Sequence, residues 1–161
     1  MIRQFQRKEI DMACGVREAI PAHLQVTVNL LCKAERIFSL QKHHASSLHW
    51  DLRLQHDGTM PSWAIPKGLP VSPQEGNRLG IQVEDHDLSY ADFHGYIPEG
   101  QYGAGQVELV DAGPMEILRW DDKYIKVHLH GRFYSGVWSL RNTTGKNWLV
   151  RCKELTGDVS G

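Results

Sequence analysis

Gln41-Lys42-His43-His44-Ala45-Ser46-Ser47-Leu48-His49-Trp50-Asp51-Leu52-Arg53-Leu54 is the stretch on which the reading of this chain turns. From Leu48 to Leu54 polar and apolar residues alternate strictly. Successive side chains of an extended strand point to opposite faces, so Leu48, Trp50, Leu52 and Leu54 share one face. His49, Asp51 and Arg53 share the other. A strand over 47–56 therefore carries an imidazole, a carboxylate and a guanidinium in a row on a rigid support. The His56-Asp57-Gly58 step that follows, between two strand-like runs, signals a tight hairpin.

Working outward, further strand-like runs fall at 37–42, 62–66, 79–84, 106–111, 115–119, 124–130, 136–142 and 147–152. Turn signals separate them: Pro66-Lys67-Gly68, Gly76-Asn77, Pro98-Glu99-Gly100, Gly103-Ala104-Gly105, Gly113-Pro114, Gly131 and Thr144-Gly145. Many short strands punctuated by Gly and Pro predict a mainly β fold, a barrel or sandwich of antiparallel strands. Residues 1–36 read differently, as an N-terminal arm. It holds Arg3, Arg7, Lys8 and Glu9, an Ile20-Pro21 break, and an alternating Leu24-x-Val26-x-Val28-x-Leu30 run that fits a strand or a helix. Residues 37–161 form the barrel domain in this reading.

The 161 residues are enough for one domain with a real core. Lys plus Arg number 18 and Asp plus Glu 19, for a formal net charge of -1, which argues against a protein that coats duplex nucleic acid and leaves room for a local basic pocket. Nine histidines are a generous supply for metal or acid–base chemistry. Cys14, Cys32 and Cys152 are odd in number and far apart, so a disulfide framework or a zinc knuckle is not expected. No apolar leader or membrane-length stretch is evident, and the expected location is cytoplasmic.

His49 and Asp51 sit about 7 Å apart along one strand face, and a cation between them can reach both. His43 or His44 offers a third ligand, and spacing alone does not choose between them. Two imidazoles and one carboxylate suit Mn²⁺, Fe²⁺, Co²⁺ or Zn²⁺. The same His-x-Asp pattern also describes a plain solvated strand face. Arg53 continues the face with a fork matched to phosphate oxygens, and Lys67, Arg78 and Lys42 could add charge. In Val83-Glu84-Asp85-His86-Asp87-Leu88-Ser89-Tyr90, His86 could bind phosphate or protonate a leaving oxygen, and Tyr90 could hydrogen-bond a phosphate or sugar. The Gly95–Gly105 run lacks the Gly-Lys-Ser/Thr of a phosphate loop and reads as a long turn. His128 and His130 share a strand face, lack a carboxylate at ligand spacing, and read as ordinary strand residues.

Four motifs carry a family resemblance. They are Gln41-Lys42-His43-x-Ala45-x-x-Leu48-His49-Trp50-Asp51-Leu52-Arg53-Leu54, Ser62-Trp63-Ala64-Ile65-Pro66-Lys67-Gly68, Val83-Glu84-Asp85-His86-x-Leu88-x-Tyr90-Ala91-Asp92-Phe93 and Gly95-x-Ile97-Pro98-Glu99-Gly100-Gln101-Tyr102-Gly103-Ala104-Gly105. From Phe38 to about Lys153 the chain resembles the 3′-phosphoesterase domain of the bacterial multifunctional DNA-repair ligases and its free-standing homologues. The resemblance implies a single-domain antiparallel β-barrel with short peripheral helices. It implies a Mn²⁺-dependent enzyme, with Co²⁺ or Zn²⁺ as substitutes, that heals DNA 3′ ends. Such enzymes remove a terminal ribonucleoside and hydrolyse the 3′-phosphate to a 3′-hydroxyl. The substrate implied is the 3′ end of a DNA or RNA-terminated primer-template, with a repair ligase or polymerase as the protein partner.

Carried over by motif, His43, His49 and Asp51 would hold the metal, which selects His43 over His44. Arg53 and His86 would hold the phosphate, Tyr90 matches a further functional position, and Arg78 and Lys67 would assist. The resemblance stops upstream of Phe38, where the family's basic, acid-containing arm is not evident. It therefore implies the phosphatase step more directly than ribonucleoside removal. Two other readings remain: a non-haem Fe²⁺ oxygenase, which also uses two histidines and a carboxylate, and a non-catalytic DNA-end-binding module.

Overall fold

The computed structural model describes residues 36–86, 95–97 and 105–156. Residues 1–35 of the 1–36 arm, including the Leu24–Leu30 run, and Tyr90 lie outside the described residues. The described strands are β1 (Ile37–His44), β2 (Leu48–Leu54), β3 (Met60–Ile65), β4 (Arg78–His86), β5 (Gly95–Ile97), β6 (Gly105–Trp120), β7 (Tyr124–His130), β8 (Ser135–Thr144) and β9 (Asn147–Leu155). Among the described residues the helical segment at the barrel margin is the 3-10 turn Pro73–Glu75. No helix among the described residues is long and apolar enough to cross a membrane.

The sheet runs β1-β2-β3-β4-β9-β8-β7-β6-β5, and a further β1–β6 pairing closes it. The result is one domain, an eight-stranded antiparallel barrel, with β5 added on the other edge of β6. The alternation of β2 is realised as expected. Leu52 and Leu54 are fully buried and join Phe38, Leu40, Trp63, Ile65, Ile125, Val127, Leu129, Trp138, Leu140 and Val150 in one core cluster. These residues come from strands all round the barrel, so they line its interior. Wrapping an apolar face round on itself in this way removes both sheet edges and most of that apolar surface from water. At Gly80 of β4 a Cβ would lie 2.9 Å from Val150 Cγ2, so the core fills the space a side chain would need.

The His56–Thr59 hairpin forms as its sequence demands. His56 and Thr59 exchange backbone hydrogen bonds of 3.0 and 3.1 Å. Asp57 and Gly58 take φ of 49° and 81°, both in the left-handed region that this turn requires.

Two expectations fail. Gly113-Pro114 does not end a strand, and 106–111 and 115–119 belong to the single strand β6. Pro114 gives up no hydrogen bond the ladder needs, because the Met115 N–H supplies the bond to the Arg36 carbonyl at 2.9 Å. Gly113 is needed for a different reason: any Cβ there would collide with the His130 carbonyl. The pair marks a close crossing of backbones, not a turn. The Gly95–Gly105 run, expected as a long turn, contains β5, which pairs with Gly105–Val107. Three residues with two glycines nearby carry no readable alternation.

Candidate metal centre

β1 and β2 pair so that His43 faces His49, Gln41 faces Asp51 and Ser39 faces Arg53. Because β1 and β2 alternate in phase, all six side chains fall on the face opposite Leu40, Leu52 and Leu54. This polar face is not solvated: Gln41, His43, Asp51 and Arg53 are all buried, Gln41 completely. Burying charges this deeply is tolerated only when each is paired and hydrogen-bonded, and the contacts supply that pairing.

Asp51 is the hub. Its Oδ1 lies 3.2 Å from His49 Nε2 and its Oδ2 3.3 Å from His43 Nδ1. Arg53 Nη2 donates to Oδ2 at 3.4 Å. Burial alone would push the Asp51 carboxyl up. The hydrogen bonds from His43 and His49 and the charges of Arg53 and His49 outweigh it and hold the carboxyl well below the usual carboxylate range. His49 is shifted the other way. Its hydrogen bond to Asp51 raises its pKa, against a smaller lowering from burial.

The donor chemistry of His49 bears on what the group can hold. Its Nδ1 lies 3.1 Å from the Ser47 carbonyl and donates a proton there. In the neutral ring Nε2 is then a lone pair aimed at a carboxylate oxygen. Two acceptors 3.2 Å apart need a proton or a cation between them. A ligating imidazole that donates its other N–H to a carbonyl is the usual second-sphere arrangement. One donor atom each from His43, His49 and Asp51 lie within 4.8 Å of one another. A tetrahedral ion with ligands at about 2.0 Å has ligand–ligand edges of about 3.3 Å, and the two contacts to Asp51 match that edge. The residues present fit a divalent cation.

Arg53 sits beside this set with its guanidinium directed by neighbours. Nε donates to Gln41 Oε1 at 2.7 Å and Nη1 to Ser62 Oγ at 3.0 Å. Ser62 passes the bond on to the Met60 carbonyl at 2.8 Å. Nη1 also lies 2.9 Å from His86 Nδ1, which brings the end of β4 to the site. Burial lowers the His86 pKa first, and the Arg53 charge lowers it further.

Five of the expected residues, His43, His49, Asp51, Arg53 and His86, thus meet in one network. Lys67 and Arg78 do not join it. Arg78 donates to the Lys67 and Gly68 carbonyls at 2.8 and 3.1 Å and pairs with Glu75 at 2.8 Å. There it fastens the turn after β3 to the 3-10 turn. His44 turns away to Glu108, 3.7 Å off, so strand alternation brings His43, and not His44, beside His49 and Asp51. Gln41 and Ser62 are contributors to which the sequence reading gave no role. Gln41 stood at the i−2 position of His43 on the same face, and that was the available signal.

A family model described as the DNA ligase D 3′-phosphoesterase domain matches residues 41–142. The multifunctional non-homologous end joining protein LigD of Mycolicibacterium smegmatis is 46% identical over 124 residues, covering 70% of this chain and 16% of that protein. The protein of the same name from Pseudomonas aeruginosa is 45% identical over 127 residues, covering 73% of this chain and 15% of that protein. The chain spans about a sixth of the length of the curated relatives it matches. The matched segment contains the whole His43–His49–Asp51–Arg53–His86 network, and the chain belongs to the DNA ligase D 3′-phosphoesterase domain family.

Proposed function

We propose that this protein is a metal-dependent 3′-phosphoesterase that converts a DNA 3′-phosphate to a 3′-hydroxyl, readying the end for joining. The observation that carries this reading is the buried contact of the His43–His49–Asp51 set with the Arg53–His86 pair. A cation site and a fixed positive charge side by side are what a phosphate dianion needs.

His43, His49 and Asp51 would hold the metal, Mn²⁺ by the family resemblance with Co²⁺ or Zn²⁺ as substitutes, which when bound supplies Lewis-acid polarisation of a phosphate oxygen. The chain's own residues do the rest. Arg53 contributes a charge that persists at every working pH, aimed by Gln41, Ser62 and Asp51. It offsets negative charge on the phosphate as water adds to phosphorus and the P–O3′ bond breaks. His86 accepts from Arg53 at Nδ1 and so carries its proton on Nε2. That N–H can donate a hydrogen bond to the departing 3′ oxygen, while the attacking water supplies the proton that leaves a 3′-hydroxyl and inorganic phosphate. By the family resemblance Tyr90 would add a further phosphate or sugar contact, and Lys67 and Arg78 would assist only from outside the Asp51–Arg53 network. Removal of a 3′-terminal ribonucleoside from an RNA-terminated strand, and work alongside a repair ligase or polymerase, extend the same reading.

The test is phosphate release from a 3′-phosphate-terminated primer-template with Mn²⁺. Wild-type protein releases phosphate and leaves a primer that a polymerase extends. His49→Ala and Asp51→Ala reduce the rate at least a hundredfold. Full activity in either variant overturns the site. Binding of the DNA end with no phosphate released under Mn²⁺, Co²⁺ or Zn²⁺ would mean a non-catalytic end-binding module. The oxygenase reading has no use for the Arg53–His86 pair beside the metal ligands.

A further inference from the structure

Pairing of β6 with β7 puts Glu116 directly opposite His128, with His130 two residues on along the same face of β7. Within their own strand the two histidines have no carboxylate at ligand spacing. The neighbouring strand supplies it. His130 Nε2 lies 2.7 Å from Glu116 Oε1, and His128 Nδ1 lies 3.7 Å from the same oxygen. The two imidazole rings stand 4.1 Å apart at 30°, and one donor atom from each of the three residues falls within 4.8 Å of the others.

His128 is also held from outside the cluster. Its Nε2 lies 2.9 Å from Thr156 Oγ1, just past the end of β9. In the tautomer whose Nε2–H donates to that hydroxyl, Nδ1 is a lone pair facing Glu116. That tautomer matches His49 over the Ser47 carbonyl, with the ring nitrogens exchanged. An open three-ligand set of two imidazoles and a carboxylate suits a borderline transition-metal dication such as Zn²⁺, with the remaining position left to solvent. The contacts of 2.7 and 3.7 Å bracket the tetrahedral edge of about 3.3 Å expected for ligands at about 2.0 Å.

We propose that Glu116, His128 and His130 form a second metal site on the outer surface of the barrel, taking Zn²⁺ or a similar dication and clamping β6 to β7. It is separate from the His43–His49–Asp51 centre. Val107, the β6 partner of His43, stands nine residues before Glu116, on the order of 30 Å of strand path.

Zinc chloride titrated calorimetrically into the full chain tests this, alongside Glu116→Gln and His130→Asn. Glu116→Gln keeps shape and removes charge at an exposed position, so folding is not at stake. Each variant is expected to lose one equivalent of Zn²⁺ or to bind it at least tenfold more weakly. Mn²⁺-dependent phosphate release stays at the wild-type rate in both, which separates this site from the proposed catalytic one. A change of less than tenfold in either variant overturns the proposal. If the His43–His49–Asp51 centre takes no metal, the difference between wild type and variants still stands.

Discussion

His86 Nδ1 lies 2.9 Å from Arg53 Nη1 and 2.9 Å from the Glu84 carbonyl oxygen, and it can serve only one of them at a time. An arginine has no lone pair to offer, so in the neutral ring Nδ1 accepts from Arg53. Protonation reverses the choice, because Nδ1–H must donate and Glu84 is then its partner. The expected result is a His86 that is neutral and Nε2-protonated at pH 7. Its NMR titration midpoint should lie below 6.5, owing first to burial and second to Arg53. Arg53→Met should move that midpoint up. Since the folded pKa is below the unfolded one, His86 adds stability above about pH 6.5 that is lost as pH falls through the folded value.

Gln41 accepts from Arg53 Nε at 2.7 Å in a fully buried position. Gln41→Leu leaves that N–H without its acceptor. It should cost about 1–3 kcal/mol in urea unfolding and lower kcat more than it raises KM, because Arg53 loses its aim rather than its charge.

Protons compete with metal at His49. The Asp51 hydrogen bond raises the His49 pKa, so the competition begins above pH 6.5. Apparent Mn²⁺ affinity should therefore fall by up to tenfold per pH unit on the acid side of the His49 midpoint. Without metal, the His49 contribution to stability is present below about pH 6.5 and lost as pH rises through its raised folded pKa. Asp51 behaves oppositely: its contribution is present above about pH 3.8 and lost as pH falls below that. Thermal melts in EDTA across this range, repeated with Asp51→Asn, check both signs. Adding metal at a hundred times its Kd should restore about 2.7 kcal/mol.

Gly113→Ala tests the reassigned crossing in β6. The added methyl meets the His130 carbonyl, a backbone group that cannot rotate away. A loss of about 1–3 kcal/mol is expected, visible as a lowered Tm. A turn at 113–114 would have absorbed the change without cost.

Much of the site was legible because β2 keeps its period. Strict alternation put His49, Asp51 and Arg53 on one face, and on the other the structure buries Leu52 and Leu54 in the core and packs Trp50 against it, leaving Leu48 exposed. Short-range information also sufficed for the His56–Thr59 hairpin, where Asp57-Gly58 supplies the two left-handed residues. What failed was whatever depends on a neighbour distant in sequence. Gly113-Pro114 looks like a turn until His130 is seen passing it. Glu116 could be joined to His128 and His130 only through the β6–β7 register, which carries a bulge between Ile117 and Arg119. Gln41 and Ser62 are ordinary polar strand residues until Arg53 is seen between them.

β1 carries the candidate metal ligand His43 and is also the strand that closes the barrel, with β2 on one edge and β6 on the other. The partner of His43 on β6 is more than sixty residues away in the chain. A hairpin of β1 and β2 by itself is marginal in water, and Arg53 needs β3 and β4 for its aim. A growing polypeptide therefore has no fixed ligand set until β6 has been synthesised and docked. Fragments left by proteolysis between β2 and β6 should likewise lack the assembled His43–His49–Asp51 set.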